Sequence, residues 1–405
     1  MRIAIWHNLV SGGGKRALNY HIKALKSKGH YIEIWTPDTS LSDTLHTLKD
    51  DVKLHILPLK EQLQKLKHPR FSFQQYRYIN KRNEIIKRHC QVCAGEINKG
   101  KFDVLFANSC SINYMSFISL YASIPSAMYL GEPFRWNYEA SPDLVWAAPD
   151  NKISINFLKN HFRLIANRIQ VTEEINAAKA YSKILVNSLF SRESVMRSYG
   201  IDSEVCYLGI DDSFFISTTA EKKPYVINVG LIYYLKGIDR VIKTIAKIPE
   251  LNRPKLVCIG NGEDQKYRIE AEALAEKLNV ELQILLSVNE GEMKKLVSEA
   301  AAMIYMPRLE PFGFAPLEAN ALGTMVVAIA EGGVRETVIH NKNGFLINSE
   351  DFETGALYIE RLVKDMKYAS ECGKQGKAYA KENWSFKKLS DNIEASLQNV
   401  VNAYV

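Results

Sequence analysis

One stretch, residues 305–338, constrains the fold of this chain more than any other. The apolar run 301–306 (AAMIYM) that leads into it is typical of a buried strand of a parallel sheet, and Pro307 ends that strand. Pro316 has the preset φ and the missing N–H that suit the start of a helix, and Gly323 suits its end. The pattern therefore predicts a strand, a loop and a short helix that starts near Pro316 and attracts a phosphate or another anion at its N-terminus.

Two carboxylates flank this predicted anion site, Glu310 in the loop and Glu318 in the first helical turn. A carboxylate repels a phosphate, so the pair makes sense if each accepts hydrogen bonds from hydroxyl groups on either side of the phosphates, at about 1.5–3 kcal/mol per charged bond. The alternative is that Glu318 interacts with the helix dipole and that Glu310 is a solvated loop charge. The two glutamates alone do not decide between these interpretations.

The length and composition fit a protein of two domains. A chain of 405 residues is too long for one average core, and 24% charged and 46% hydrophobic residues are ordinary values for a globular protein. The start of the chain is apolar only briefly, and the apolar region 115–130 is broken by serines and Pro125, so the sequence predicts neither a signal peptide nor a membrane span. We expect a cytoplasmic location.

The cysteines and the acidic residues do not form a metal site in the sequence. Six cysteines in a chain of this size do not form the pattern of a disulfide framework. Cys90 and Cys93 have CxxC spacing but lack a second ligand pair. The aspartate pairs at 50–51 and 211–212 also lack a second ligand set, so no metal is predicted.

The positive charge of the chain is concentrated in residues 60–101. Eleven Lys and Arg residues and three Glu residues give this segment a net charge of +8, and the whole chain carries +7. The aromatic residues among them are Phe71, Phe73, Tyr76 and Tyr78. Two interpretations remain open: a solvated positive helix face, or contact with an anionic membrane surface or a diphosphate-linked acceptor. Nucleic acid is less favoured as a partner because no RNA or DNA module accompanies the charge.

The chain opens with a predicted βαβ unit. Residues 2–6 form the first predicted strand, and the glycines at 12–14 open a helix that runs to Gly29. The glycine spacing does not fit a dinucleotide fingerprint, and Arg16 stands where a P-loop needs Ser or Thr. What remains is a close approach of the backbone to a ligand at a helix N-terminus.

These features together resemble a known family. The segments 310–319 (EPFGFAPLEA), 323–324 (GT) and 331–336 (EGGVRE) resemble the nucleotide-sugar signature of the family-four glycosyltransferases, which are retaining enzymes of the GT-B fold. The pair Gly12-Gly13, followed by Gly29-His30, also matches the family, as does Lys236-Gly237. The resemblance is close from 224 to 344 and looser before 211.

The resemblance implies an α/β protein of the GT-B fold, in which two Rossmann-like β/α/β domains face a central cleft. It implies an acceptor-side domain at residues 1–211, a linker at 212–223 and a nucleotide-sugar-binding domain at 224–383. A C-terminal helix at 384–405 would cross back to the first domain.

The resemblance also implies roles for individual residues. Glu310 would hold hydroxyls of the donor sugar, Glu318 the ribose and Lys236 the diphosphate, so that Glu310 and Lys236 are the candidate catalytic residues. The other candidate donor-binding residues are Gly12, Gly13, Phe312, Gly313, Phe314 and Ala315, with the backbone N–H groups of the last three facing sugar and phosphate oxygens. The candidate residues on the acceptor side are Asn108, Glu132 and Arg135.

Three positions depart from the family pattern. Many relatives have a histidine that contacts the transferred sugar where this chain has Gly131, and a histidine is frequent where it has Asn108. Because glycine has no side-chain donor, Gly131 predicts a donor sugar without an ordinary 6-hydroxyl, or one that another group binds there. Leu231 replaces a common arginine, so diphosphate neutralisation would depend on Lys236 and backbone N–H groups.

The predicted function is retaining transfer of a hexose or deoxyhexose from a nucleotide-diphosphate sugar to a hydroxyl acceptor, a glycan or lipid-linked precursor in polysaccharide biosynthesis. By resemblance the reaction is a same-face displacement without metal or cofactor, in which a phosphate oxygen takes the acceptor proton. Residues 60–101 would add peripheral contact with an anionic membrane at its inner face. The alternatives are a nucleotide-sugar epimerase or hydrolase on the same scaffold, and a catalytically silent nucleotide-sugar binding protein.

Overall fold

The chain forms two compact units, Met1–Tyr207 with Ser390–Val405, and Leu208–Leu389. The computed structural model describes residues 1–10, 12–40, 52–138, 155–215 and 220–404, and of residues 155–158 and 160 only the backbone. Residues 216–219 of the predicted linker and the aspartate pair at 50–51 lie outside the described residues.

The first unit contains a parallel sheet with helices between its strands. The strands are β1 (Arg2–Asn8), β2 (Tyr31–Pro37), β3 (Lys53–Leu57), β4 (Val104–Cys110), β5 (Ser126–Tyr129), β6 (Lys183–Val186) and β7 (Glu204–Val205). The helices are α1 (Gly13–Ser27), α2 (Lys60–Gln64), α3 (Gln75–Lys99), α4 (Ile155–Lys179) and α5 (Leu189–Tyr199). The strand order is β3-β2-β1-β4-β5-β6-β7.

The apolar pattern of the sequence explains the core of this unit. β1 and β4 lie inside the sheet and are buried along most of their length, as expected for parallel strands covered by helices on both faces. Three apolar residues on one face of α1, Leu18, Ile22 and Leu25, are fully buried.

The second unit contains a parallel sheet of six strands. The strands are β8 (Lys223–Val229), β9 (Lys255–Gly260), β10 (Leu282–Leu286), β11 (Ala300–Tyr305), β12 (Val326–Ile329) and β13 (Gly344–Ile347), in the order β10-β9-β8-β11-β12-β13. The helices are α6 (Ile238–Ala246), α7 (Gln265–Lys277), α8 (Glu290–Glu299), α9 (Phe314–Ala321), α10 (Val334–Thr337), α11 (Phe352–Lys364) and α12 (Met366–Asn383). The last helix, α13 (Phe386–Asn402), carries the chain into the first unit, to which the residues from Ser390 onward belong.

The strand order of each unit locates its ligand-binding edge. In the second sheet the order reverses between β8 and β11, and in the first it reverses between β1 and β4. Doubly wound sheets bind ligands at the carboxyl ends of the strands that flank such a reversal. The loops after β8 and β11 are therefore the natural place for a site in the second unit.

Residues 305–338 and the apolar run that leads into them contain the predicted strand, loop and short helix. α9 begins at Phe314, two residues before Pro316, because Gly313 caps the helix with φ 94°. The helix ends at Ala321, and Gly323 follows with φ 78°. No helix in the described part of the chain is long and apolar enough to cross a membrane.

Candidate functional site

A turn after β8 fixes the position of Lys236. Residues Tyr234–Lys236 form a short 3-10 turn, and Gly237 ends it with φ 68°. A Cβ atom on Gly237 would lie 1.9 Å from the Met306 carbonyl oxygen, so only glycine fits there. The stem of Lys236 passes over Gly230, with its Cδ 3.6 Å from the place of a Cβ on that glycine. The turn thus holds Lys236 at the carboxyl end of β8.

Lys236 and Glu310 form an ion pair, with 2.6 Å between the Lys236 Nζ and the Glu310 Oε2. The two side chains are 25% and 17% exposed, so solvent and ligands can reach them. The structure therefore places the two candidate catalytic residues in direct contact.

The glycines of segment 331–333 support the loop that carries Glu310. The Gly333 N–H donates to the Glu310 carbonyl oxygen at 2.7 Å. A Cβ on Gly332 would lie 2.3 Å from that oxygen, and a Cβ on Gly333 would lie 2.1 Å from the Pro311 carbonyl oxygen. This turn is packed against the loop backbone so closely that a side chain at either glycine would displace Glu310.

Tyr305, the last residue of β11, lies beside both candidate carboxylates. Burial, and then the charges of Glu310 and Glu318, raise the pKa of the Tyr305 phenol well above its ordinary value. The phenol therefore keeps its proton at neutral pH and faces the Glu310 carboxylate as a hydrogen-bond donor. Sequence reasoning assigned Tyr305 no role, because a tyrosine that ends an apolar strand resembles an ordinary core residue.

The N-terminus of α9 is held by aromatic packing and by one hydroxyl. The Phe312 ring lies edge-on to the rings of Phe314 and Trp384, with centroids 5.4 and 5.6 Å away. The Thr337 hydroxyl donates to the Phe312 carbonyl oxygen at 3.2 Å. Glu318 is 4% exposed and is the fifth residue of α9, so it lies in the second helical turn and not in the predicted first turn.

Gly12 and Gly13 form the start of α1 in the first unit. Gly12 caps the helix with φ 135°, a conformation that favours glycine. A Cβ atom on either glycine would meet nothing within 4 Å, and both residues are exposed. The backbone is therefore exposed at the position where the sequence predicts a close approach to a ligand, and that approach stays a prediction.

Lys15 and His7 lie below this glycine segment and were missed by sequence reasoning. Lys15 is 2% exposed, and its Nζ donates to the Ser40 carbonyl oxygen at 2.9 Å. His7 is fully buried at the end of β1, where burial and then the charge of Lys15 lower its pKa to about 3. His7 is therefore neutral at physiological pH. A lysine that follows three glycines gives no sequence signal that it is buried.

The candidate acceptor-side residues lie near the carboxyl ends of β4 and β5. The Arg135 Nε donates to the Glu132 Oε2 at 3.0 Å, and Arg135 is 9% exposed. Asn108 is 2% exposed, and its Nδ2 has no hydrogen-bond partner among the described residues. A Cβ on Gly131 would stand 3.5 Å from the Asn187 Nδ2, so this amide faces the space that a side chain at position 131 would occupy.

The structure thus groups the candidate residues by unit. One group surrounds the carboxyl ends of β8 and β11 in the second unit and contains Lys236, Glu310, Phe312, Gly313, Phe314, Ala315 and Glu318. The other lies in the first unit and contains Gly12, Gly13, Asn108, Glu132 and Arg135. Among the described residues, no cluster of three or more His, Cys, Asp or Glu side chains could hold a metal ion.

Comparison with known proteins shows the fold of the chain and the family of its segment 209–379. The structure of Anabaena HepE in complex with UDP-glucose superimposes with a TM-score of 0.69 at 17% sequence identity, covering 98% of this chain and 100% of that one. The chain has the GT-B fold, as predicted. Residues 209–379 match the family described as Glycosyl transferases group 1. This segment belongs to that glycosyltransferase family, which is the family the sequence predicted.

Two curated relatives support the same assignment. An uncharacterized glycosyltransferase of Methanocaldococcus jannaschii is 31% identical over 177 residues, which are 43% of this chain and 44% of that protein. The alpha-1,3/1,6-mannosyltransferase of Candida albicans is 24% identical over 308 residues, which are 61% of this chain and 68% of that protein. The match to the archaeal relative thus spans less than half of its length.

Proposed function

We propose that this protein transfers a sugar from a nucleotide-diphosphate sugar to a hydroxyl acceptor, with retention of the anomeric configuration and without a metal. The observation that carries the proposal is the 2.6 Å contact of Lys236 with Glu310 at the reversal point of the second sheet, beside the N-terminus of α9. A cation, a carboxylate and a helix N-terminus at one place suit a ligand that has both phosphates and hydroxyl groups.

Each group has a part in the reaction. The Lys236 ammonium would attract each phosphate charge by about 4 kcal/mol at 4 Å, before the cost of desolvation. Together with the N–H groups of α9 it would stabilise the charge that builds on the leaving diphosphate. Glu310 would accept hydrogen bonds from the sugar hydroxyls, and Glu318 would do so from the ribose.

The surroundings of Glu310 favour a same-face displacement. Glu310 contacts the Lys236 ammonium and faces the Tyr305 phenol, and both interactions stabilise its charge and reduce its strength as a nucleophile. A phosphate oxygen of the leaving group is then the base that takes the acceptor proton on the same face of the sugar. The stereochemistry is tested by NMR of the first product formed; an inverted anomeric centre would contradict the proposal.

The acceptor would be a glycan or a lipid-linked precursor of a polysaccharide, bound by the first unit near Asn108, Glu132 and Arg135. The basic residues 60–101 support peripheral contact with an anionic membrane at its inner face, where such lipid-linked acceptors are held.

A panel of 6-deoxy, pentosyl and hexosyl donors tests the space at Gly131. A clear preference for plain glucose or mannose would exclude a donor that lacks the 6-hydroxyl.

A thermal-shift screen of nucleoside diphosphates and their sugars tests the whole proposal. A ligand at a hundred times its dissociation constant should raise the free energy of unfolding by about 2.7 kcal/mol. Product analysis with and without acceptor then separates transfer from epimerisation or hydrolysis. A chain that no nucleoside diphosphate stabilises, or whose transfer stops when EDTA is added, would contradict the proposal.

A further inference from the structure

The first unit exposes large apolar side chains where its 3-10 turn Ser72–Gln74 meets α4. Phe71 and Phe73 are 59% and 48% exposed, and Leu164 and Ile165 on α4 are 42% and 39% exposed. We name these four residues the α4 patch. Exposed apolar residues are ordinary when they are scattered, but a contiguous group marks an interaction surface.

Ring contacts connect the two halves of the α4 patch. The rings of Phe71 and Phe73 stack with centroids 5.6 Å apart, and Phe73 lies edge-on to Phe162 of α4 at 6.2 Å. Ile165 is three residues after Phe162, so the two lie on neighbouring positions of the same helix surface. The ring contacts therefore connect the turn to the surface of α4 on which Ile165 lies.

The charged residues in the two chain segments that carry the α4 patch have a single sign. Residues 62–83 and 155–172, which contain all four patch residues, include nine Lys and Arg residues and no Asp or Glu. The exposed cations among them that flank the patch in sequence are Arg70, Arg77, Lys159, Arg163 and Arg168. The charged residues of these two segments are thus all cations.

We propose that the α4 patch docks on an anionic lipid bilayer and inserts its four apolar side chains at the boundary between head groups and acyl chains. Apolar residues with flanking Lys and Arg are the composition of interfacial membrane contacts, in which the cations bind lipid phosphates. A second copy of this chain is disfavoured because two such surfaces would bring like charges together. The inference rests on the proposed function, in which the acceptor is lipid-linked and residues 60–101 contact an anionic membrane.

Insertion differs from the electrostatic contact of residues 60–101 in what it requires. Insertion involves α4, which lies outside that segment. If it occurs, replacing apolar side chains should weaken membrane binding even though the net charge of the protein does not change. Flotation of the full chain with vesicles of phosphatidylcholine, with and without phosphatidylglycerol, measures the dependence. Wild-type protein should float with the anionic vesicles.

Matched variants separate insertion from a general loss of apolar surface. The double variant Leu164→Ser/Ile165→Ser should lower partitioning to anionic vesicles about tenfold or more. The control is Ile269→Ser/Leu357→Ser, whose side chains are 59% and 65% exposed in the second unit, and it should float as wild type does. Equal flotation of the patch variant and the wild type would overturn the proposal.

A fluorescent reporter tests insertion directly. The chain has five tryptophans, so the emission that Phe73→Trp adds to that of the wild type is the signal. It should shift to the blue with anionic vesicles and be quenched by brominated acyl chains; an added emission that does neither would overturn the proposal. If the wild type is a dimer in solution and Leu164→Ser/Ile165→Ser dissociates it, the patch serves self-association, and this result would also overturn the proposal. Stabilisation by UDP is measured on the same variants, so that a failure of the proposed transferase function is seen separately from a failure of docking.

Discussion

At the scale of single residues, the contact between Lys236 and Glu310 determines which interactions a ligand must replace when it binds. The 2.6 Å ion pair joins a cation suited to phosphate and a carboxylate suited to hydroxyl groups. A diphosphate that binds Lys236 must therefore compete with Glu310 for the same ammonium. When Lys236 binds the diphosphate, Glu310 loses its ion pair. The sugar hydroxyls can replace that interaction because they donate hydrogen bonds to the carboxylate.

The substitution Glu310→Gln should separate binding from transfer. Removal of the carboxylate charge leaves Lys236 without its competing anion, so the affinity for a nucleoside diphosphate should be kept or raised. Transfer should fall by two orders of magnitude or so, because a charged hydrogen bond to the sugar is lost. Calorimetry with UDP and a transfer assay measure the two quantities.

The control for this variant is Glu353→Gln. Glu353 pairs with Lys247 at 2.6 Å, but both side chains are well exposed, at 65% and 48%. Its removal should change neither binding nor transfer. Weaker UDP binding by Glu310→Gln than by the wild type would show that the ion pair supports the phosphate site and does not compete with it.

Lys222 should make the stability of the chain depend on pH. It is 9% exposed, and burial lowers its pKa from 10.5 to about 7. Below pH 7 the lysine is charged in both states, and between pH 7 and 10.5 only the unfolded chain keeps the proton. The free energy of unfolding should therefore rise with pH in this window, by about 1.4 kcal/mol per pH unit from this group.

Chemical denaturation of Lys222→Met at several pH values measures this contribution. The variant should show a flatter rise than the wild type between pH 7 and 10. Lys223→Met is the matched control, because Lys223 is 54% exposed and pairs with Glu299 at the surface. Equal slopes for the wild type and Lys222→Met would refute the assignment.

The sequence predicted residue types at the site better than residue contacts. Glu310 and Lys236 were identified from local patterns, but they are 74 residues apart and only the parallel order of β8 and β11 brings them together. Tyr305 and Lys15 were missed for the same reason, since burial beside a carboxylate or below a glycine segment is a property of the folded chain.

At the scale of elements, the interior strands were predictable and two edge strands were not. β3 and β10 are the outer strands of their sheets and are only partly buried along their length. A strand with one neighbour and partial burial needs no continuous apolar run, so its sequence signal is weak. The interior strands β8 and β11 each lie between two others and carry the stronger apolar signal.

A pair of glycine variants tests how the 331–333 turn supports the site. Gly323 and Gly332 both have positive φ, 78° and 58°, but only Gly332 faces backbone atoms that a Cβ would strike. Gly323→Ala should cost about 1 kcal/mol of stability, from backbone strain alone. Gly332→Ala should cost at least about 2 kcal/mol more and should also impair transfer, since it displaces the backbone of Glu310.

Urea unfolding of the two variants gives the comparison. The first variant serves as the control for strain, because nothing lies within 4 Å of its new Cβ. Similar losses of stability in both variants would show that the loop carrying Glu310 moves away at little cost.

At the scale of the whole molecule, the family match and the structural units coincide in part. The match covers residues 209–379 and lies inside the second unit, Leu208–Leu389. The first unit lies outside this match, and it contains the candidate acceptor residues and the α4 patch. We therefore expect the features that distinguish this protein from its relatives to lie in the first unit: the proposed acceptor site, the proposed membrane contact and the donor space at Gly131.

The division into two units predicts that a destabilising core substitution in one unit leaves the stability of the other unit unchanged. Leu397 of α13 is fully buried and belongs to the first unit, although it is near the end of the chain, and Leu362 of α11 is fully buried in the second. Leu397→Ala and Leu362→Ala should each cost about 2–5 kcal/mol. Hydrogen exchange measured peptide by peptide should then accelerate in α1 and β2 for the first variant and in β11 and β12 for the second. Faster hydrogen exchange in all four elements of both variants would contradict this expectation. It would show that the chain unfolds as one cooperative body, because only a shared unfolding event would transmit the loss of stability from one core to the other.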